Sequence, residues 1–381
     1  MWEIFKTFFI LGWISFGGPA AHIGYFRQTF VAQRHWLTDE QYAQLVALSQ
    51  FLPGPGSSQV GFAIGYQRGG LTGACLAFLG FTLPSILLMV LLGTLSHQLL
   101  GQPFFEHLIH GLKLLAVLVV ADATWGMYQT FCRNKVSHTL CLFSATILLL
   151  LPGMLSQIGV LIFAAIIGMY WLKKTRASST EIPLRPDWWP LLLFIALLVS
   201  LPWLADERPA LMLFETFFHT GSLVFGGGHV VMPLLQSQLA EQLTTDTFLT
   251  GYAAAQAVPG PMFTLATYLG IHLLPSTPIL GAILATTAIF LPGFLLLLSI
   301  LRNWQILANI PTISGALNGV NAAVVGLLLA ALYHPVFTSS VFTPLDVALL
   351  VIGVGLLKVM QWPIISVVLF YLLCGLGFAF L

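Results

Sequence analysis

Gln50-Phe51-Leu52-Pro53-Gly54-Pro55-Gly56-Ser57-Ser58-Gln59 is echoed later in the chain by Gln256-Ala257-Val258-Pro259-Gly260-Pro261-Met262-Phe263-Thr264. Each lies inside an apolar stretch long enough to be a helix, 41–67 and 247–274. Proline removes a backbone donor and clashes with the preceding turn, and glycine adds backbone freedom, so both helices must break at Pro-Gly-Pro. One such element reads as a packing kink. Two at matched positions, each three residues after a glutamine, read as a site.

The chain around them is apolar. Of 381 residues, 58% are hydrophobic and 7% charged, with a mean hydropathy of +0.93. A soluble domain carries about a quarter charged residues, so this apolar surface must face lipid. A net charge of +1 gives no basic field for nucleic acid. Cys75, Cys132, Cys141 and Cys374 are scattered without Cys-x-x-Cys spacing and read as packing residues. The apolar run after Lys6 continues through Gly17-Gly18-Pro19 to Tyr25 without a cleavage site, so it counts as a span.

At about 20 apolar residues per crossing, spans fall near 5–26, 41–67, 71–96, 108–130, 137–152, 156–172, 188–205, 210–234, 247–274, 278–301, 313–334, 344–359 and 362–380. The expectation is an all-α polytopic membrane protein of about thirteen transmembrane helices. One side then collects Lys6, Arg68, Arg133, Lys135, Lys173, Lys174, Arg176, Arg185, Arg302 and Lys358, and the other only Arg27, Arg34 and Arg208. Positive residues favour the cytoplasm, which puts the N-terminus inside and the C-terminus outside. If 41–67 and 247–274 dip in and return, eleven crossings remain and the bias narrows to nine against four, with the N-terminus outside.

The echo extends along both halves. Phe5–Gly18 aligns with Phe214–Gly227 without a gap, and 8 of the 14 positions are identical. Gly73-Ala74 matches Gly281-Ala282, Leu83-Pro84 matches Leu291-Pro292, and Gly111 matches Gly319. The domains are therefore 1–172, a linker and connecting helix over 173–209, and 210–381. An odd helix between two even halves inverts the second relative to the first. Transporters built this way place substrate near the bilayer midplane, where broken helices meet.

A helix restarting at a break points its N–H groups and dipole into the break, which favours an anion. The candidate binding residues are Gly54, Gly56, Ser57, Ser58 and Gln59 in half one, and Gly260, Met262, Phe263 and Thr264 in half two. Gly17-Gly18-Pro19 and Gly226-Gly227-Gly228 break the first helix of each half, adding Gly17, Gly18, Gly227 and Gly228. His22 and His229 follow these breaks and are candidates for coupling or gating, as are Gln50, Gln256 and Asp122. They are not equivalent: His22 aligns with Val231 and His229 with Ala20. Lys113 stands where half two has Asn321, so only half one offers a charge for an anion. It reads either as a binding residue or as an anchor paired with Asp122. Thr38-Asp39-Glu40-Gln41 reads as a capping box, matched by Thr245-Asp246. His107, His110 and Glu106 lack further ligands, so no metal is expected. No nucleophile elbow or phosphate loop occurs, so neither an enzyme nor a cofactor is expected.

Phe16-Gly17-Gly18-Pro19, Trp36-Leu37-Thr38-Asp39-Glu40 and the first Pro-Gly-Pro element, with the echo Phe225-Gly226-Gly227-Gly228-His229 and the second, resemble the chromate transporter family over essentially the whole chain. The resemblance implies export of chromate, or of a sulfate-like tetrahedral oxyanion, across the cell inner membrane, giving chromate resistance. The partners implied are that oxyanion and the lipid bilayer, without nucleic acid; a homodimer is compatible with this.

Overall fold

The computed structural model describes residues 1–16, 18–99, 103–172, 187–205, 208–225, 230–301 and 311–378. Among these the chain is helical and contains no strand. Half one holds α1 (Trp2–Ile14), α2 (Gly18–Phe26) with a π-helical extension Arg27–Gln33, α3 (Asp39–Phe51), α4 (Gly56–Leu99), α5 (Pro103–Phe131), α6 (Lys135–Leu150) and α7 (Met154–Trp171). The connecting helix is α8 (Trp188–Leu204). Half two holds α9 (Pro209–Leu223), α10 (Val231–Leu239), α11 (Thr245–Ala257), α12 (Leu265–Leu273), α13 (Pro278–Ile300), α14 (Pro311–Ala331), α15 (Pro344–Val354) and α16 (Ile364–Phe378). Among the described residues, four stretches are long and apolar enough to cross a membrane by length and composition: Gly56–Leu95, His107–Phe131, Pro278–Ile300 and Pro311–Phe337. Leucine, isoleucine and valine on α7, α8 and α16, among them Ile162, Ile166, Leu192, Val199, Leu369 and Leu373, are exposed. Such faces fit lipid rather than water.

The breaks reverse the chain. Phe8 in α1 packs its ring on Phe26 at 5.7 Å and on Phe30 at 4.8 Å, beyond the break. Glu3 at the start of α1 bonds Arg34 at 2.7 Å, just past the π-helical extension. The segment 2–34 therefore enters and returns. The second broken helix behaves alike. Residues at its two ends, Leu37 and Gln41 on one side and Gln67 and Arg68 on the other, line one cavity of about 290 Å³. A continuous helix would set residues 41 and 67 about 39 Å apart. Thus 41–67 doubles back, the second of the two readings above, and so does 5–26, which composition could not distinguish from a crossing. In half two, Gly251 of α11 packs on Tyr268 of α12, again folding the chain back at Pro-Gly-Pro. α4 itself folds at Gly69 and Gly70, so its first limb lies against its second, where Gly65 meets Gly73.

α3 starts on a capping box in which Thr38 accepts from the Gln41 N–H and Gln41 accepts from Thr38. The half-two cap is Thr244, one residue before the Thr245 expected from the alignment, and it accepts from the Thr247 N–H.

The two halves pack by the same device. A Cβ on Gly12 would stand 2.6 Å from the Phe81 carbonyl oxygen and 3.0 Å from Pro84 Cγ. One on Gly221 would overlap the Ile289 carbonyl and meet Pro292 Cγ at 2.9 Å. The aligned glycine and proline pairs thus seat α1 on α4 and α9 on α13. Gly12→Val and Gly221→Val should each destabilise the fold by about 1–3 kcal/mol through overpacking. The check is the unfolding temperature in detergent, and an unchanged melt would show that these helices do not touch there.

Candidate binding site at the broken helices

The breaks of the two halves cross. Gly54 at the first Pro-Gly-Pro has φ +116° and donates its N–H to the Val224 carbonyl, at the end of α9, at 2.7 Å. Gly260 at the second has φ +100° and donates to the Ser15 carbonyl, at the end of α1, at 2.9 Å. Val224 and Ser15 are aligned positions in the repeat, so each half bonds to the other through the same pair of sites. Both glycines need the left-handed backbone, and both are pressed against the opposite half. A Cβ on Gly54 would lie 3.0 Å from Gly293 Cα on α13, and one on Gly260 would overlap Ser85 Oγ on α4.

Around this crossing the half-one tip is polar. Gln59 is fully buried and donates its amide to the carbonyls of Pro53 at 2.9 Å and Gly293 at 3.1 Å, bracing the loop to the other half. The Phe62 and Phe294 rings stack at 4.2 Å beside it. His22 is fully buried against the edge of Phe81. Its Nε2–H donates to the Ser15 carbonyl at 3.2 Å, which leaves Nδ1 to accept from the Ser57 hydroxyl at 3.1 Å. Gly56, Ser57 and Ser58 form the first turn of α4, whose earliest N–H groups have no acceptor within the helix.

The half-two tip is apolar and closed on itself. Met262–Thr264 form a 3₁₀ turn, and Thr264 Oγ1 donates to the Pro261 carbonyl at 2.8 Å. Gln256 donates to Met262 Sδ at 3.1 Å, and Phe263 packs on Phe290 at 5.7 Å. Met262 Cε also approaches Gly18, whose φ is +76°.

The structure thus gathers Gly18, His22, Gly54, Gly56, Ser57, Ser58, Gln59, Gln256, Gly260, Met262, Phe263 and Thr264 around one crossing. Gly17, Gly227, Gly228 and His229 lie outside the described residues, as does the side chain of Gln50. Lys113 and Asp122 are elsewhere. Lys113, 8% exposed on α5, forms an ion pair with Asp246 in the first turn of α11. Asp246 is about 18 Å of helix from the break at Val258. Asp122 pairs with Lys358, so the Lys113–Asp122 pair weighed from sequence does not form. His110 bonds Asp346 at 2.7 Å. Sequence reasoning missed Ser15 and Ser85; the Leu83-Pro84 match marked the neighbourhood, but a lone serine in an apolar helix carries no signal of its own.

A duplicated helical scaffold with apolar outer faces and paired broken helices crossing in its interior is the architecture expected of a membrane transport protein. The model of one family, described as chromate transporter, matches residues 2–169 and 211–377, and the chain belongs to that family. It is 28% identical over 336 residues to an uncharacterized transporter of Methanocaldococcus jannaschii, covering 86% of this chain and 82% of that protein. It is 27% identical over 344 residues to a probable chromate transport protein of Synechococcus elongatus, covering 86% and 83%. With a chromate transport protein of Cupriavidus metallidurans it shares 26% identity over 365 residues, 93% of this chain and 88% of that one. No solved structure matches the chain.

If the crossing is the working centre, Gly54→Val should abolish transport, because its side chain would push Gly293 away and strain the backbone. Flux of the variant in vesicles, normalised to the amount of inserted protein, is the measurement; normal flux would reduce the break to a packing feature.

Proposed function

We propose that this chain is a secondary transporter that exports chromate, a sulfate-like tetrahedral dianion, across the inner membrane by alternating access and so confers chromate resistance. The observation that carries the reading is the reciprocal crossing of Gly54 on Val224 and Gly260 on Ser15. It joins two moving halves at one polar, buried point, where separation of either tip would open a path on one side only.

The halves are inverted in this reading. Glu3, Arg34, Trp36 and Arg68 mark the mouth of the half-one hairpins. Gly93, about 33 Å along the second limb of α4 from Leu71, packs instead on Ile271 near the mouth of the half-two hairpins. The Lys113–Asp246 pair joins the early part of α5 to that same mouth. Both contacts support mouths on opposite faces.

Doubling back also moves Arg27 and Arg34 to the side of Lys6, Arg68, Arg133, Lys135 and Lys358, leaving Arg208 and the paired Lys113 at the other face. That distribution supports a cytoplasmic N-terminus and an external C-terminus. The Arg27–Asp39 pair, His35 and Arg68 line cavities at the inner mouth, whereas the cavity of about 280 Å³ at the outer end offers Gln157, Gln236, Ser237, Thr245 and His334. The positive charge of Arg68 at the inner mouth favours collection of an anion from that side. The inside-negative potential adds about 2.3 kcal/mol per charge per 100 mV.

Inside-out vesicles should accumulate chromate, and sulfate should compete. Flux indifferent to the proton gradient would indicate a channel, and no flux for either anion would leave a membrane scaffold. Reporter fusions at Met1 and Leu381 should place the ends on opposite faces, with the first inside. Lys113→Gln should cut export several-fold by leaving Asp246 unpaired at the outer mouth, while Lys113→Arg should keep most of it. Unchanged export in Lys113→Gln would make the pair a helix brace.

A further inference from the structure

Helical serine and threonine hydroxyls in this protein usually donate back to the carbonyl one turn earlier. Thr94 does so to Val90, Thr124 to Val120, Ser222 to Phe218 and Thr286 to Ala282, at 2.6–2.9 Å. Thr82 and Ser85 on α4 do not, although both are fully buried. Ser15, fully buried at the end of α1, also has a hydroxyl without a partner, as does Ser58 in the first turn of α4. An unmet donor in a dry interior is unfavourable, and each one calls for an explanation.

Their placement supplies one. Thr82 and Ser85 are three residues apart and share a helix face. Ser85 Oγ points at Gly260, where only a glycine leaves it room, and the Gly260 N–H is held by the Ser15 carbonyl. Phe81, just before Thr82 and one turn before Ser85 on α4, carries the edge of His22, whose other contacts are Ser15 and Ser57. Ser85 and Ser15 therefore meet the half-two tip from the half-one side, and Thr82 stands on the same face of α4 as Ser85. The repeat puts Val224, Phe290 and Gly293 where Ser15, Thr82 and Ser85 stand, and the buried hydroxyls without a partner in half two, Thr220 and Thr250, sit at other positions of α9 and α11. Across the pseudo-symmetric tip, Gln59 fills the space beside Gly293 with its own amide.

We propose that Ser15, Thr82 and Ser85 form a one-sided oxyanion seat against the Gly260 loop, completed by the Ser58 hydroxyl and the first turn of α4. This rests on the transport reading above and names the residues that discriminate the anion. A tetrahedral dianion accepts hydrogen bonds at every oxygen, and a seat of neutral hydroxyl donors replaces its hydration shell without a permanent charge to trap it. Lys113, the one buried lysine or arginine among the described residues, is engaged by Asp246 at the outer mouth, so the seat works without a cation. The seat residues are closed from solvent here, and access requires parting the Gly260–Ser15 bond, which ties occupancy to movement of the half-two tip.

The test is concentration-dependent uptake of chromate and of sulfate into inside-out vesicles carrying wild type, Ser85→Ala or Thr82→Val. Loss of a hydrogen bond to a charged ligand should raise the half-saturating concentration about tenfold or more, with maximal flux largely kept. The purified variants should unfold no lower than wild type, because each loses a hydroxyl that has no partner. Unchanged half-saturation in both variants, alongside active wild type, overturns the seat and leaves the transport reading standing. Wild type that carries neither anion, and gains no thermal stability from either, overturns both.

Discussion

Two backbone hydrogen bonds, Gly54 to Val224 and Gly260 to Ser15, hold four chain breaks against one another in the interior. A break in a helix at membrane depth frees peptide groups that lipid cannot satisfy, so each must find a protein partner. Here each break of one half is completed by a break of the other. That mutual dependence requires glycine at the two donors, small residues where α4 and α13 pass beneath, and α1 and α9 lying close enough to present their last carbonyls. The tight seats of Gly12 on Phe81 and of Gly221 on Ile289 meet the last requirement.

The duplication is symmetric in backbone and asymmetric in chemistry. At the tips, half one supplies the histidine, the glutamine brace and the hydroxyls of Ser15, Ser58, Thr82 and Ser85, and half two supplies methionine, phenylalanine and a threonine that bonds its own loop. Gene duplication gives two equal frames, and side chains can then diverge wherever the backbone contacts are kept. One tip can act as the polar surface and the other as an apolar closure. A buried hydroxyl without a partner costs about 1–3 kcal/mol, which an ion-binding centre offsets when the ion is present.

Charge follows the same division. The described arginines at the half-one mouth lie beside carboxylates or on the Trp36 ring, as in Arg27 with Asp39, Arg34 with Glu3, and Arg34 and Arg68 over the indole. Lys113, the one buried lysine among the described residues, is neutralised by Asp246 at the mouth of the half-two hairpins. In the proposed reading, charges at the mouths would steer an anion through solvent, while dipoles and hydroxyls would hold it in the interior less tightly than a fixed cation would.

The sequence by itself determined the all-helical membrane class, the duplication, the position of each break and the family. These are legible because proline and glycine act on the backbone locally, and because 8 identities in 14 positions cannot come from shared hydrophobicity. Only the tertiary structure decided that 2–34 and 41–67 turn back, since a break does not state its angle and an apolar hairpin has the composition of a crossing. Tertiary structure also decided the partner of Lys113. Asp122 lies nine residues away along its own helix, but a side chain meets what packs against it, and that is Asp246 from the other half. Ser15, Thr82 and Ser85 were invisible for the same reason. Ser15 lies far in sequence from Thr82 and Ser85, and it comes near their face of α4 only because the Gly260 loop of the other half touches both Ser15 and Ser85.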